Sequence, residues 1–180
     1  MKDGVWYPIL PDWVERAFNT AKATDPEPLL FYGDYHLFTS EKKWKSVLSY
    51  LTDLKSRGVP IDGIGYHSHI NETDPLQTRE HMAEVIKSFG DIGLLVLIDE
   101  IDVRCYDCGG ETLSSEALEN QGAWYNHVIK ACLDNPGVCI GITSWGMSDS
   151  VAGTSKRHCL DEEAGGLGAE CYPLPFDWNW

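Results

Sequence analysis

The sequence predicts an α/β fold built on parallel strands and, within that class, half of a (β/α)8 barrel. Strand-like and helix-like segments alternate with a repeat of roughly 35 residues, which is typical of parallel strands joined by crossover helices. Polar residues cluster where each predicted strand ends, as they do at the catalytic end of such barrels. Only four strands fit into the 180 residues, whereas a complete barrel needs about 250 residues.

Four helices are predicted from apolar residues that recur every three to four positions. Ser40 supplies an N-terminal cap for the second helix, Gly58 ends it, and Pro26 ends the first. The predicted helices span residues 11–26, 40–58, 74–93 and 114–135.

Four strands are predicted from short apolar runs. The run from Leu94 to Ile98, in "LLVLIDEIDVR", has five consecutive apolar residues, as expected of a strand that is buried on both faces. No glycine-rich phosphate loop follows any strand, which disfavours a doubly wound nucleotide-binding sheet. The predicted strands span residues 29–35, 61–70, 94–103 and 138–149.

The charge of the chain argues against some classes of partner. It carries 28 acidic and 14 basic residues, a formal net charge of −14. Nucleic acids and anionic membranes are bound by basic surfaces, so we expect neither as a partner. No stretch approaches the roughly 18 consecutive apolar residues of a membrane-spanning helix.

The cysteines indicate an oxidising compartment. Six cysteines lie in the second half of the chain, and Asn71 begins a glycosylation sequon, so we expect disulfides and a secreted protein. Six cysteines allow 15 pairings, and the connectivity therefore stays open. The first residues, "MKDGVWYPIL", lack the charged head and apolar core of a signal peptide, so we expect the N-terminus of the secreted protein to be absent from this sequence.

Polar residues at the ends of two strands form the candidate site. Because side chains in a strand alternate between faces, Glu100 and Asp102 are predicted to share one face, and so are His67 and His69. Neighbouring strands would then bring His69 beside both carboxylates. A histidine in that position suits a site that orients one carboxylate as a nucleophile or base, although a structural ion pair fits equally well. Asp99 is predicted to point to the opposite face, toward the helices.

Four segments, in their order and spacing, resemble the C-terminal half of family 10 glycoside hydrolases, the endo-β-1,4-xylanases. The segments are "LLFYGDY", "GVPIDGIGYHSHI", "LLVLIDEIDV" and "CIGITSWGMSD". The resemblance runs from "VWYPILPDWVERAFNTAKATDP" to "PLPFDWNW". It therefore implies a single catalytic domain over residues 1–180, truncated at both ends, that holds strands five to eight of a TIM barrel.

The resemblance also implies roles for individual residues. Glu100 would be the catalytic nucleophile, Asp102 the aspartate two positions after it, and His69 the histidine that hydrogen-bonds the nucleophile. Trp145 would lie under the sugar. Further substrate contacts and a disulfide are implied as well; they are Asp34, Tyr35, His67 and Asp149 for the substrate, and Cys132 with Cys139 for the disulfide.

The function implied by the resemblance is retaining hydrolysis of β-1,4-xylan through a glycosyl-enzyme on Glu100, without a cofactor or metal. This reaction needs a second carboxylic acid about 5–5.5 Å from the nucleophile. The family takes it from a W-D-V-V-N-E-like motif at the end of strand four, which this sequence lacks, and neither Glu15 nor Glu27 lies at a strand end. We therefore expect the isolated chain to lack useful hydrolase activity, and a missing N-terminal half or a second copy to close the barrel.

The chain departs from the family pattern close to the candidate site. Gly33 and His36 replace asparagines on either side of the "DY" pair, and His67 replaces a glutamine. Asp99 replaces a threonine or serine before the nucleophile. After Asp149, "DSVAGTSK" lacks a tryptophan that commonly covers the substrate. Specificity for xylan over other β-glycans is therefore open.

Two other functions are also open at this point. His67 and His69, with Glu100 or Asp102, could bind zinc in a metal-dependent barrel hydrolase. "CYDC" at 105–108 could bind zinc, although a disulfide or free thiols fit it better. Alternatively, the chain is a non-catalytic or degenerate half-barrel that binds sugar or has no activity.

Overall fold

The computed structural model describes residues 9–71, 74–104 and 115–146, and in these ranges helices and strands alternate as the sequence predicts. The elements are, in chain order, α1 (Trp13–Thr24), β1 (Phe31–Tyr35), α2 (Glu41–Ser56), β2 (Gly63–Asn71), α3 (Arg79–Asp91), β3 (Leu95–Arg104), α4 (Ser115–Leu133) and β4 (Cys139–Ser144).

The helix boundaries follow from capping residues. The hydroxyl of Ser40 accepts a hydrogen bond from the backbone N–H of Lys43, which confirms the predicted start of α2. The prediction that the third helix starts at residue 74 is wrong. Thr78 caps α3 instead, accepting from the N–H of His81 at 3.1 Å, so the helix begins at Arg79.

The last strand is shorter than predicted. β4 ends at Ser144, and residues 147–149, which the prediction included, lie outside the described residues. The candidate substrate contact Asp149 and the "CYDC" segment at 105–108 also lie outside them. Their predicted roles therefore stay predictions.

The strands form one parallel sheet in the order β1-β2-β3-β4. Each strand therefore pairs with its neighbour in the sequence, as right-handed strand–helix–strand units require. All four strands end at the same edge of the sheet, which brings together the polar residues at their C-terminal ends.

The two faces of the sheet have different surroundings. Ile64, Tyr66, Val96 and Ile98 are almost fully buried and belong to one hydrophobic core with the apolar sides of the helices. We call the opposite side of the sheet the inner face. We assign residues to it in pairs, because a Cβ added to a glycine of one strand would meet a side chain of the neighbouring strand on this face. The residues are Phe31, Gly33, Gly63, Gly65, His67, Leu97, Asp99 and Gly141.

Glycines allow side chains to lie flat on this inner face. A Cβ added to Gly63 would overlap the ring of Phe31, and one added to Gly141 would come 3.3 Å from Leu97. The glycines of β2 and β4 therefore make room for larger side chains on neighbouring strands.

A cysteine pair joins the end of α4 to the start of β4. Cys132 and Cys139 lie with their Cα atoms 5.2 Å apart and form a disulfide in the structure. This is the pairing that the family resemblance implies.

In the part of the chain that the structure describes, no helix is both long and apolar enough to cross a lipid bilayer.

The disulfide closes a short loop, with a sequence separation of 7 between its cysteines. We expect the double substitution Cys132→Ser and Cys139→Ser to lower the free energy of unfolding by about 2 kcal/mol, because the open loop gains entropy when the chain unfolds. Urea unfolding measures this loss. A reducing agent should lower the stability of the parent protein by breaking this bond. It should have no such effect on the double variant, which lacks the bond. Equal stability of the parent, in oxidised form, and the double variant would contradict the prediction.

Candidate active site

A β-bulge in β3 shapes the candidate site. His67 pairs with Asp99 and His69 pairs with Asp102, so β3 advances three residues while β2 advances two. Glu100 lies at this irregularity with a φ of 54°, a left-handed conformation that residues other than glycine rarely adopt. Bulges of this kind turn side chains to new directions and recur beside active sites.

The bulge corrects the sequence-based prediction for Asp99. Its carboxylate does not face the helices: Oδ2 lies 3.8 Å from Nε2 of His67, and a Cβ added to Gly65 would approach Oδ2 to 2.6 Å. Asp99 therefore lies on the inner face. Strict alternation fails here because the extra residue at Glu100 resets which side chains share a face.

His69 connects the two other acids of β3. Its Nε2 lies 3.2 Å from Oε2 of Glu100, and its Nδ1 lies 3.0 Å from Oδ2 of Asp102. The structure thus brings together the three side chains that the sequence placed side by side. Because one imidazole contacts both carboxylates, the position of each acid depends on the same ring.

Asp102 is the buried end of this arrangement. Its side chain is 0% exposed, and Nε of Arg104 lies 3.3 Å from Oδ1. An unpaired buried carboxylate would be very costly, so His69 and Arg104 together keep this charge in the fold. Glu100, by contrast, has a side chain that is 29% exposed and therefore accessible to a ligand. The imidazole of His69 therefore lies between the buried acid and the exposed acid.

Trp145 lies next to the same histidine. Its ring centroid is 5.6 Å from that of His69, with the planes at 82°. The backbone N–H of Trp145 donates to the carbonyl of Ile101 at 3.1 Å, which fixes the chain just after β4. The residue is 39% exposed, so the indole offers an apolar surface beside Glu100, of the kind on which sugar rings stack.

Asp34 and Tyr35 are predicted together as substrate contacts, but the structure gives them different surroundings. Asp34 is largely buried and pairs with Nζ of Lys43 on α2 at 2.8 Å. Its Oδ2 also accepts a hydrogen bond from the hydroxyl of Tyr32 at 3.2 Å. Burial raises the pKa of Tyr32, and the neighbouring Asp34 charge raises it further, so this hydroxyl stays a donor. These are the contacts of a residue that fastens β1 to α2.

Tyr35 lies at the open edge of the site. It is exposed, pairs in register with His67, and has Nζ of Lys43 at 4.6 Å from its ring centroid. A cation near the ring face helps to hold the ring in place. Tyr35 is therefore better placed than Asp34 to contact a ligand beside His67.

The geometry gives no support to the zinc hypothesis for this site. Among the residues that the structure describes, which include His67, His69, Glu100 and Asp102, no three His, Cys, Asp or Glu side chains form a group that could hold a metal ion. Both ring nitrogens of His69 face carboxylates instead.

Comparison with known proteins identifies the family. The sequence matches the model of glycosyl hydrolase family 10 over residues 1–180. The chain belongs to glycosyl hydrolase family 10.

Curated relatives in the family are xylanases that are longer than this chain. Endo-1,4-beta-xylanase B of Thermotoga neapolitana is 33% identical over 149 residues, which are 82% of this chain and 41% of the relative. Beta-1,4-xylanase of Dictyoglomus thermophilum is 32% identical over 97% of this chain and 48% of the relative. The chain thus spans less than half the length of these two family members.

Solved structures of family 10 members show the same relation. Xylanase 10B from Thermotoga petrophila, solved with xylobiose, matches 99% of this chain and 50% of its own chain, with a TM-score of 0.82 and 30% identity. Native xylanase 10B from Thermotoga maritima matches with a TM-score of 0.81 and 31% identity. The four-stranded parallel sheet is therefore half of a family 10 barrel, as the sequence predicts.

Two residues of this family 10 site were not singled out from the sequence. Arg104 follows Asp102 by two positions, so strand alternation places both on one face and could have indicated the pair. The sequence places Gly65 inside a strand without indicating that it makes the space that the Asp99 carboxylate occupies. Its role depends on the bulge in the neighbouring strand, for which the sequence carries no signal.

Asp99 provides a pH-dependent test of the site. Desolvation raises the pKa of this carboxyl above its ordinary value of 3.8; the Glu100 charge raises it further, and His67 opposes the rise. The folded protein therefore holds the proton to a higher pH than the unfolded chain. The resulting stability is fully present below the unfolded pKa and is lost as the pH rises through the folded pKa.

We expect Asp99→Asn, which cannot ionise, to be more stable than the parent at pH 7, with a gain that shrinks as the pH falls toward 4. Urea unfolding at several pH values measures it. Asp91→Asn is the matched control, because Asp91 is an exposed acid that pairs with Lys87 on α3. A loss of stability for Asp99→Asn at pH 7 would show that the charged form is favoured, against the prediction.

Proposed function

We propose that the protein hydrolyses β-1,4-xylan with retention of configuration, and that Glu100 is its nucleophile. One observation carries the proposal: an accessible carboxylate is held by His69, which is itself held by the buried Asp102. Membership of glycosyl hydrolase family 10 and similarity to xylanases support the reaction and the substrate.

The site chemistry suits the first step of such a reaction. In a retaining glycosidase a carboxylate attacks the anomeric carbon while the bond to the leaving oxygen breaks, and water later hydrolyses the glycosyl-enzyme. His69 holds Oε2 of Glu100, which leaves Oε1 as the attacking atom. Asp102 maintains the imidazole in the orientation that this contact needs.

The acid that protonates the leaving oxygen comes, in this proposal, from a segment that completes the barrel. Glu15 forms an ion pair with Arg57, and Glu27 lies in the exposed connection before β1, so neither is at the site. In the described sheet β1 and β4 are the edge strands, each with one side open to another strand. An N-terminal half would pair there and bring the acid, whereas a second copy of the chain would close the barrel without supplying the missing motif.

Exposed aromatic residues support binding of a sugar chain. Trp145 and Tyr35 lie at the C-terminal ends of the outer strands, on either side of the Glu100–His69 contact, and both are partly exposed. Apolar faces of pyranose rings pack well on aromatic rings. A polysaccharide spanning the site could stack on both while its linkage lies over Glu100.

A secreted location is also part of the proposal. The Cys132–Cys139 pair and the sequon at Asn71 support it, because disulfides persist in oxidising compartments. Non-reducing peptide mapping of protein from its natural source tests it: an intact Cys132–Cys139 bond with a glycan on Asn71 is expected, and free thiols with unmodified Asn71 would contradict it.

The nucleophile is tested with 2,4-dinitrophenyl β-xylobioside, whose leaving group departs without being protonated. Because no acid is needed for this leaving group, the 180-residue chain should release dinitrophenolate from it even though it is expected not to hydrolyse xylan, and Glu100→Ala should lower the rate by at least about 1,000-fold. Azide should partly restore the rate of Glu100→Ala by occupying the space of the lost carboxylate and attacking the anomeric carbon. Glu84→Ala, which removes an exposed glutamate of α3, is the control and should keep the parental rate.

Two results would contradict this account. An unchanged rate in Glu100→Ala, or no azide product of inverted configuration, would remove Glu100 from the reaction. Clear hydrolysis of xylan by the isolated chain would show that the acid does not come from a separate segment.

A further inference from the structure

Three residues at which the chain departs from the family pattern meet on the inner face. A Cβ added to Gly33 would come 2.7 Å from Nε2 of His67, and this same Nε2 lies 3.8 Å from Oδ2 of Asp99. In the sequence these positions are far apart, on three different strands. In the structure they form one contact group directly beside Glu100.

The sheet is built to hold this pair. The imidazole of His67 lies over Gly33 on β1, and the carboxylate of Asp99 lies over Gly65 on β2, where an added Cβ would come 2.6 Å from Oδ2. A side chain at either glycine would push its neighbour away. Two glycines and two ionisable side chains therefore fit one another across three strands.

The location of Asp99 creates an electrostatic problem for the nucleophile. Asp99 and Glu100 are consecutive in the sequence, and the bulge lets both approach histidines of β2. Two nearby carboxylates disfavour each other's charge. A nucleophilic carboxylate must be ionised to attack. Moreover, Oδ1 of Asp99 is buried without a hydrogen-bond partner, although the side chain as a whole is 24% exposed.

We propose that one proton, carried by either His67 or Asp99, makes these two neighbouring side chains a neutral pair that preserves the negative charge of Glu100. With the proton on the imidazole they are an ion pair, and with the proton on the carboxyl both are uncharged, so the net charge of the pair is zero either way. Both are positioning residues, because they act through Glu100. Desolvation raises the pKa of Asp99, which favours retention of this proton.

Among the residues that the structure describes, few other charged groups lie near the pair. β2 contributes His67 and His69, and β3 contributes Glu100 besides Asp99 itself. Residues Cys139–Ser144 of β4 include no Asp, Glu, His, Lys or Arg. On β1, Asp34 is occupied by Lys43 of α2. His67 is therefore the basic side chain that faces Asp99, besides His69, which contacts Glu100 and Asp102.

The pH dependence of dinitrophenolate release tests this effect on the reaction, and this part rests on the proposed function. His67→Gln leaves an uncompensated acid at Asp99, so the acid limb of the rate profile should move to higher pH by about one unit. At a fixed pH on that limb, the rate would then be about 10-fold lower than that of the parent. Adding Asp99→Asn should return the limb to within about 0.3 unit of the parent. His81→Gln, on α3, is the control and should leave the profile unchanged.

A purely structural role predicts a different pattern. If His67→Gln acted only by disturbing packing, the rate would fall equally at all pH values and the second substitution would add to the loss. A profile of that form, or a limb that stays in place in His67→Gln, would overturn the proposal.

A second measurement does not depend on hydrolysis. Carboxyl 13C NMR should show Asp99 titrating above its ordinary value of 3.8 in the parent, higher still in His67→Gln, and lower in Glu100→Gln. Asp91, paired with Lys87, is the internal control and should not respond. The same Asp99 titration in the parent and in His67→Gln would overturn the pair even if the chain hydrolyses sugars. The expected shifts, in a chain without dinitrophenolate release, would keep the pair and reject the proposed function.

Discussion

The extra residue in β3 is the constraint on which the site depends. It places Glu100 in a left-handed backbone conformation and lets Asp99, Glu100 and Asp102 all approach histidines of β2. In a regular strand, consecutive acids would point to opposite faces. Such backbone strain persists only where the surroundings hold it. Here the contacts of His69 with Glu100 at the bulge and with Asp102 after it supply that support.

The two faces of the sheet have different roles. The helix-covered face contains the hydrophobic core, and Ile98 and Ile101 on it flank the bulge and are almost fully buried. This packing anchors β3 on either side of Glu100. The inner face holds glycines and ionisable side chains, and the one fully buried acid, among the inner-face acids described here, is compensated by His69 and Arg104. A buried hydrophobic layer on one side of the sheet thus supports a polar layer on the other.

The sequence predicts the elements and the central contact because both depend on regular periods. Helical spacing and apolar runs locate α1–α4 and β1–β4, and alternation along two neighbouring strands brings His69 to Glu100 and Asp102. The errors arise where tertiary packing decides. Alternation places Asp99 on the wrong face because a bulge has no local signal. The pairing of Asp34 with Lys43 of α2 has no signal in the sequence either, and the role of Asp34 as a substrate contact stays a prediction. Local hydrogen bonding moves the start of α3 to Arg79.

Trapping of the glycosyl-enzyme is the most direct test of the central claim, that Glu100 is the nucleophile. A 2-deoxy-2-fluoro-β-xylobioside with a dinitrophenyl leaving group should react once and stay bound, because the fluorine slows hydrolysis of the intermediate. Mass spectrometry of the digested protein should then find one fluoroxylobiosyl group, on the peptide containing Glu100 and on that side chain. A label on any other residue, or an unlabelled protein after complete consumption of the reagent, would contradict the claim.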